Sequence, residues 1–196
     1  MSLGAILLAG GRGSRVAGAV KPLFEVGGQT LLGAAVTAVT DAGADAVVVA
    51  GPDLVPGLDV TWVREDPPFG GPAAGTVAAL GAIGDPDWIF LLACDLPAVG
   101  AAVSTLAAAI PLLPSDADGV CLGDGSSRPQ WLIGLYRTSA LRQAASALPS
   151  RGDGASMRDL LADLAITVLA ADDARTSDID TWEDLAQARR MHEEQR

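Results

Sequence analysis

Along this chain, unbroken apolar runs alternate with stripes of apolar residues at helical spacing. Leu3 to Ala9, Ala46 to Ala50 and Trp88 to Cys94 are continuous apolar runs, the last the most hydrophobic. Runs of this kind predict strands buried on both faces of a parallel sheet. Val60 to Val63 predicts a shorter strand between the second and third. Leu31, Leu32, Ala35, Val36 and Val39 recur at helical spacing after Thr30, whose hydroxyl can cap a helix running to about Asp41 that Gly43 ends. Ala73 to Ile83 and Ala101 to Leu113 predict two further helices. Pro22 to Val26 reads as a short extended segment turned by Gly27-Gly28.

Beyond residue 113 the pattern changes. Ala117–Leu122 and Gln130–Tyr136 predict strands joined by a polar loop over 123–129. Helices follow over about Ser139–Leu148 and Ala155–Leu164, then a strand over Ile166–Ala170 and a last helix capped by Thr181. Strand and helix alternating through the first part predict an α/β fold. It is a three-layer, Rossmann-like, mostly parallel sheet with helices on both faces, joined by right-handed crossovers. No linker or internal repeat divides the 196 residues, so one domain over 1–196 is expected.

In such sheets ligands bind beyond the carboxyl ends of the strands. Three polar groups fall there. The first follows Leu3–Ala9: Gly10, Gly11 and Gly13 bare the backbone amides, and Arg12, Arg15 and Lys21 bring positive charge. Bare amides with cations suit a polyphosphate. The second is the loop Arg64 to Pro72, with Glu65 and Asp66. The third is Asp95, directly after the most hydrophobic strand, where a carboxylate is costly unless solvated, paired or bound to a metal. A capping role before the helix near Gly100 is its rival reading.

Composition sharpens the first site. The net charge is −11, which argues against a nucleic-acid or anionic-membrane partner. A polyphosphate site on so acidic a chain requires a local exception, and Lys21 is the chain's only lysine. No apolar run reaches a membrane span and no signal peptide is visible, so a cytoplasmic location is expected. Cys94, Cys121 and the lone His192 make no zinc constellation, and the cysteines read as small buried residues of adjacent strands. The glycine loop lacks the P-loop's Gly-Lys-Ser/Thr. Val16 stands where the dinucleotide fingerprint wants Gly or Ala, which disfavours an NAD-dependent reductase.

What remains, Leu8-Ala9-Gly10-Gly11 with Arg15 and Lys21 at fixed spacing, resembles the nucleotidyltransferase signature Leu-Ala-Gly-Gly-x-x-x-Arg-x-x-x-x-x-Lys. The resemblance is closest to the MobA-like molybdenum-cofactor guanylyltransferases, and it covers nearly the whole chain. It implies a fold like that of the nucleotide-diphospho-sugar transferases. Residues 1–113 would be the nucleotide-binding part and 114–196 the acceptor-side part. The implied reaction transfers GMP from GTP to molybdopterin or molybdenum cofactor and releases pyrophosphate.

By the same resemblance, the backbone of Leu8, Ala9, Gly10, Gly11, Arg12, Gly13 and Ser14 holds the nucleotide, and Arg15 and Lys21 hold its β- and γ-phosphates. Leu92-Ala-Cys94-Asp95-Leu-Pro97 resembles the family's Cys-Asp-x-Pro segment, so Asp95 is the implied Mg²⁺ ligand. Asp66, with Gly71 and Pro72, matches the loop that holds base and sugar; Glu65 is the second choice. Asp180, then Asp178, matches the closing signature that completes the metal or nucleotide site, although Thr181 and Asp184 also read as a helix cap. Arg128 faces the second substrate by analogy. Transient contact with cofactor-insertion or acceptor proteins is implied too. One departure stands out: relatives carry Met-Gly-Gly-x-Asp-Lys where this chain has Val16-Ala17-Gly18-Ala19-Val20-Lys21, without the acid. A molybdopterin cytidylyltransferase, a sugar- or alcohol-phosphate nucleotidyltransferase, or a nucleotide-binding module without turnover would share the two main motifs.

Overall fold

The computed structural model describes residues 1–10 and 18–194. Its centre is β1 (Leu3–Leu8), which pairs in parallel with β4 (Ala44–Ala50) on one side and β6 (Trp88–Ala93) on the other. β5 (Thr61–Val63) extends the β4 side in parallel. Beyond β6 come β8 (Pro129–Arg137), then β7 (Gly119–Gly123), then β9 (Ile166–Ala170). β8 is antiparallel to both of its neighbours, while β7 and β9 pair in parallel. The sheet is thus mostly parallel, as its apolar runs predict. A two-stranded hairpin, β2 (Glu25–Val26) with β3 (Gln29–Thr30), stands apart from it.

The strand period of two assigns the two faces. Ala5 and Leu7 of β1, with Trp88, Phe90 and Leu92 of β6, pack against α1 (Leu31–Asp41) and α3 (Val99–Ala109). Ile6, Ile89 and Leu91 point the other way. They meet α2 (Pro72–Leu80), α4 (Thr138–Ala147) and α5 (Met157–Leu161). Each central strand is covered on both sides, which is why its sequence shows no alternation.

A third, small core is not continuous with these. Phe24, Leu31, Ile179 and Leu185 form it, with Ala19, Val26 and Ala188 against it. Phe24 and Trp182 bring their rings to 5.1 Å between centroids. It docks the last helix, α7 (Trp182–Glu194), onto the hairpin. Arg189 strengthens the docking by donating to the Glu25 carbonyl at 2.9 Å.

Several expectations are corrected locally. The helix expected over 155–164 spans only Met157–Leu161, its start set by a reciprocal capping box of Ser156 and Asp159. α2 stops at Leu80, where Gly81 follows. Lys21–Leu23 is a 3-10 turn rather than extended chain. A short helix, α6 (Asp173–Thr176), N-capped by the Asp172 side chain, is an element the apolar pattern does not announce. Both cysteines are buried and free, but β8 separates Cys121 on β7 from Cys94 beyond β6, so they are not on adjacent strands.

Ile179 is 1% exposed, and its N–H donates to the Asp95 carbonyl at 2.9 Å. Ile179→Ala should therefore cost about 2–5 kcal/mol in denaturant unfolding. Hydrogen exchange should show α7 and the hairpin losing protection together while β1 and β6 keep theirs.

Candidate active site

The parallel register ends β1, β4 and β6 level with one another. Leu8 pairs with Ala50 and with Ala93, so the residues that follow leave the sheet side by side. Ala9 N–H donates to the Ala50 carbonyl at 2.9 Å, and Cys94 N–H to the Leu8 carbonyl at 3.1 Å. Over this edge opens a cleft of about 700 Å³, within the range of small-molecule sites. Its floor is Leu8 to Gly10, Ala50 to Pro52 and Ala93 to Asp95. A Cβ on Gly51 would stand 3.1 Å from the Ala9 carbonyl carbon, which explains a glycine where two strand ends converge.

One wall is the start of α2. Gly71, at φ +95°, is its N-cap, a conformation that favours glycine, and Pro72 opens the first turn. Both line the cleft, as does Gly75 one turn on. The preceding loop contributes Arg64, Glu65 and Phe69. The Glu65 carboxylate accepts from Phe69 N–H at 2.9 Å, and the Arg64 guanidinium lies 5.3 Å from the Phe69 ring centre. Asp66 is exposed and does not line the cleft, so the loop turns Glu65, the second choice from sequence, toward it.

The opposite wall gathers charge. The Lys21 ammonium lies 2.5 Å from Oδ1 of Asp180 and 3.5 Å from Oδ2 of Asp95. Three segments place it. The 3-10 turn pins the Lys21 backbone through Leu23 N–H to the Val20 carbonyl and Phe24 N–H to the Lys21 carbonyl, both at 2.9 Å. The end of β6 supplies Asp95. Asp180 is held by the start of α7, where Asp184 accepts from the backbone N–H of Asp180 and Thr181 while Thr181 Oγ1 accepts from Asp184 N–H.

The electrostatics follow from this geometry. Burial pushes the Asp95 carboxyl above its usual range and Lys21 pulls it only partly back, while Asp178 adds to the rise. For Lys21, burial works against the charge. The hydrogen bond it donates to Asp180 and the fields of Asp95, Asp180 and Asp178 outweigh it and hold the ammonium above the ordinary lysine value. Burial pushes the Cys94 thiol far up, so it is no nucleophile at neutral pH.

Of the residues singled out from sequence, the structure brings together Leu8, Ala9, Gly10, Lys21, Gly71, Pro72, Asp95 and Asp180 around the cleft. Gly11, Arg12, Gly13, Ser14 and Arg15 lie outside the described residues. Asp178 acts through its field, and Arg128 is an exposed loop residue that does not line the cleft. Arg64, Phe69 and Leu132 line it without having been expected. The Gly51-Pro52 break after an apolar run was a visible signal for its floor; Leu132 carried none beyond its place in a strand. Among the described residues no group of three or more His, Cys, Asp or Glu side chains converges as a metal centre. Asp95 and Asp180 do converge on one cation, a two-carboxylate seat of the kind that suffices for an ion also held by substrate phosphates and water.

Residues 5–175 match the family model described as the MobA-like NTP transferase domain. The chain belongs to that family of nucleotidyltransferases. A probable molybdenum cofactor guanylyltransferase of Synechococcus elongatus is 34% identical over 149 residues, covering 70% of this chain and 73% of the relative. Three solved structures, each below a quarter identical, share the fold. A nucleotidyl transferase from a Methanothermobacter species superposes with a TM-score of 0.75 at 22% identity, over 100% of this chain and 99% of that one. A 2-C-methyl-D-erythritol 4-phosphate cytidylyltransferase from Thermus thermophilus gives 0.70 at 17%, over 98% and 100%. A Mycobacterium tuberculosis protein in complex with manganese gives 0.66 at 20%, over 97% and 99%. Among the described residues, no helix of this chain is long and apolar enough to cross a membrane.

The Thr181–Asp184 cap carries a pH signature. Hydrogen bonds from the Thr181 side chain and backbone hold the Asp184 carboxyl below its usual range. Its contribution is therefore present above the ordinary aspartate pKa and lost as pH falls through the depressed one. Thermal melts of Asp184→Ala should fall below those of the wild type at neutral pH, with the gap closing as acid protonates Asp184.

Proposed function

We propose that this protein transfers GMP from GTP to the terminal phosphate of molybdopterin or molybdenum cofactor, with release of pyrophosphate. The observation that carries the reading is the Lys21–Asp95–Asp180 cluster at the strand-end cleft, in a chain of a nucleotidyltransferase family. The guanylyl name of a relative with 34% identity supports the base and the acceptor. An oxygen of the acceptor phosphate attacks the α-phosphorus; a P–O bond forms and the bond to the β-phosphate breaks, its electrons leaving with pyrophosphate. The acceptor oxygen is already anionic, so the protein supplies no general base. Its work is positioning and charge neutralisation.

Leu8 to Gly10 and the start of α2 line the space for the nucleotide, and by the family resemblance Arg12 and Arg15 would join Lys21 in meeting its phosphates. Glu65, at the base of the Arg64–Phe69 loop, is better placed than Asp66 to accept hydrogen bonds from base or sugar. Asp95 and Asp180 would hold a divalent ion, which would neutralise phosphate charge. We keep Mg²⁺ as that ion, and the manganese complex of a protein sharing the fold supports a divalent cation. Residues 1–113 form most of the nucleotide side. The later part gives the cleft Leu132 and Asp180 and would face the acceptor.

Pyrophosphate release from GTP, CTP, ATP and UTP with Mg²⁺ and molybdopterin tests this reading. GTP should be preferred, and Asp95→Ala should lower turnover by at least about 10²–10³ with an unchanged circular dichroism spectrum. Preference for CTP would move the reaction to a cytidylyltransferase. Nucleotide binding without release would mark a non-catalytic module.

A further inference from the structure

The Lys21 ammonium stands where the proposed reaction needs a divalent ion. It is held between the same two carboxylates, in hydrogen-bond contact with Asp180 and at 3.5 Å from Asp95. A hard divalent ion binds carboxylate oxygens directly, at about 2.0–2.1 Å for Mg²⁺. An ammonium and such an ion cannot share the pair, for steric and for electrostatic reasons. Without any cation the two carboxylates and nearby Asp178 would repel one another in a half-buried wall of an acidic chain.

We propose that Lys21 is a tethered counter-cation for the Asp95–Asp180 pair, displaced when a divalent ion enters and then free to take a phosphate of the incoming nucleotide. This rests on the assignment of those two carboxylates as the metal seat. The local structure suits an exchange. The backbone of Lys21 is fixed by the 3-10 turn and by Phe24 in the small third core. The four-carbon stem beyond it can swing, and its side chain lines the same cleft as the α2 N-terminus. A compact ammonium on a flexible stem can leave one oxygen pair for another, whereas a guanidinium fork would lock onto both carboxylates. The chain's one lysine stands at this position; its other twelve Lys or Arg residues are arginines. The consequence is coupled binding: the metal frees Lys21 for the nucleotide, and the nucleotide, by engaging Lys21, favours the metal.

A single lysine makes the exchange directly visible. Protein labelled with ε-¹³C lysine should give one ε-methylene signal, and Mg²⁺ without nucleotide should move it along a saturable curve. In parallel, free Mn²⁺ is measured by electron paramagnetic resonance with the wild type, Lys21→Met and Asp95→Asn. Removing the internal competitor should tighten Mn²⁺ binding on the order of tenfold in the absence of nucleotide. It should also reduce the factor by which GTP tightens Mn²⁺ binding. If Asp95→Asn weakens Mn²⁺ binding but Lys21→Met leaves it unchanged or weaker, the seat stands and the exchange is overturned. If Asp95→Asn has no effect, or neither the wild type nor Lys21→Met binds Mn²⁺, the seat falls and the exchange with it. Should Lys21→Met fail to fold, the wild-type signal decides: movement with Mg²⁺ supports the exchange, and a fixed signal at saturating Mg²⁺ overturns it.

Discussion

The contact of one ammonium with two carboxylates gathers three distant parts of this chain. Lys21 comes from the turn after the glycine loop, Asp95 from the end of β6, and Asp180 from the start of α7. Each would be costly alone in a half-buried wall, and each is tolerated because the others are there. The backbone reinforces the arrangement. Ile179 N–H binds the Asp95 carbonyl, and the Asp184 carboxylate gathers the N–H groups of Asp180 and Thr181.

This places unusual weight on the small third core. The two large cores hold the sheet and its covering helices, and no residue of α7 belongs to either. The third exists to bring residues 19–31 and 179–188 together. Its effect on the site is indirect but large, since it fixes the backbone at both ends of the Lys21–Asp180 pair. A similar division holds on the other side of the cleft. There Gly71 and Pro72 set the direction of α2, and the Glu65–Phe69 hydrogen bond shapes the loop before it.

Family membership and cleft chemistry reinforce one another from different directions. The match over residues 5–175 establishes a nucleotidyltransferase family, and the solved structures establish the fold, which a cytidylyltransferase shares. Under the proposed function, the choice of base would depend on a few side chains lining the cleft, where Arg64, Glu65 and Phe69 stand. These are loop residues, and loops are where members of one fold diverge.

The sequence alone determined the sheet and the edge that carries the site. Doubly covered strands must be apolar throughout, so Leu3–Ala9, Ala46–Ala50 and Trp88–Cys94 announced themselves. A carboxylate directly after such a strand, as at Asp95, pointed to its end. The positive charge after the glycine run made Lys21 a candidate, and resemblance to the family's closing signature made Asp180 one. That Lys21 would touch both acids was not legible, because the contact joins residues 74 and 159 positions apart and depends on how α7 docks. Nor was the choice of Glu65 over Asp66 for the cleft wall. Two adjacent carboxylates are equivalent in composition, and only the path of the Arg64–Pro72 loop decides which one faces inward. Local periodicity fixes what a segment must become; which side chains meet is set by packing between segments, and that information exists only once the chain is folded.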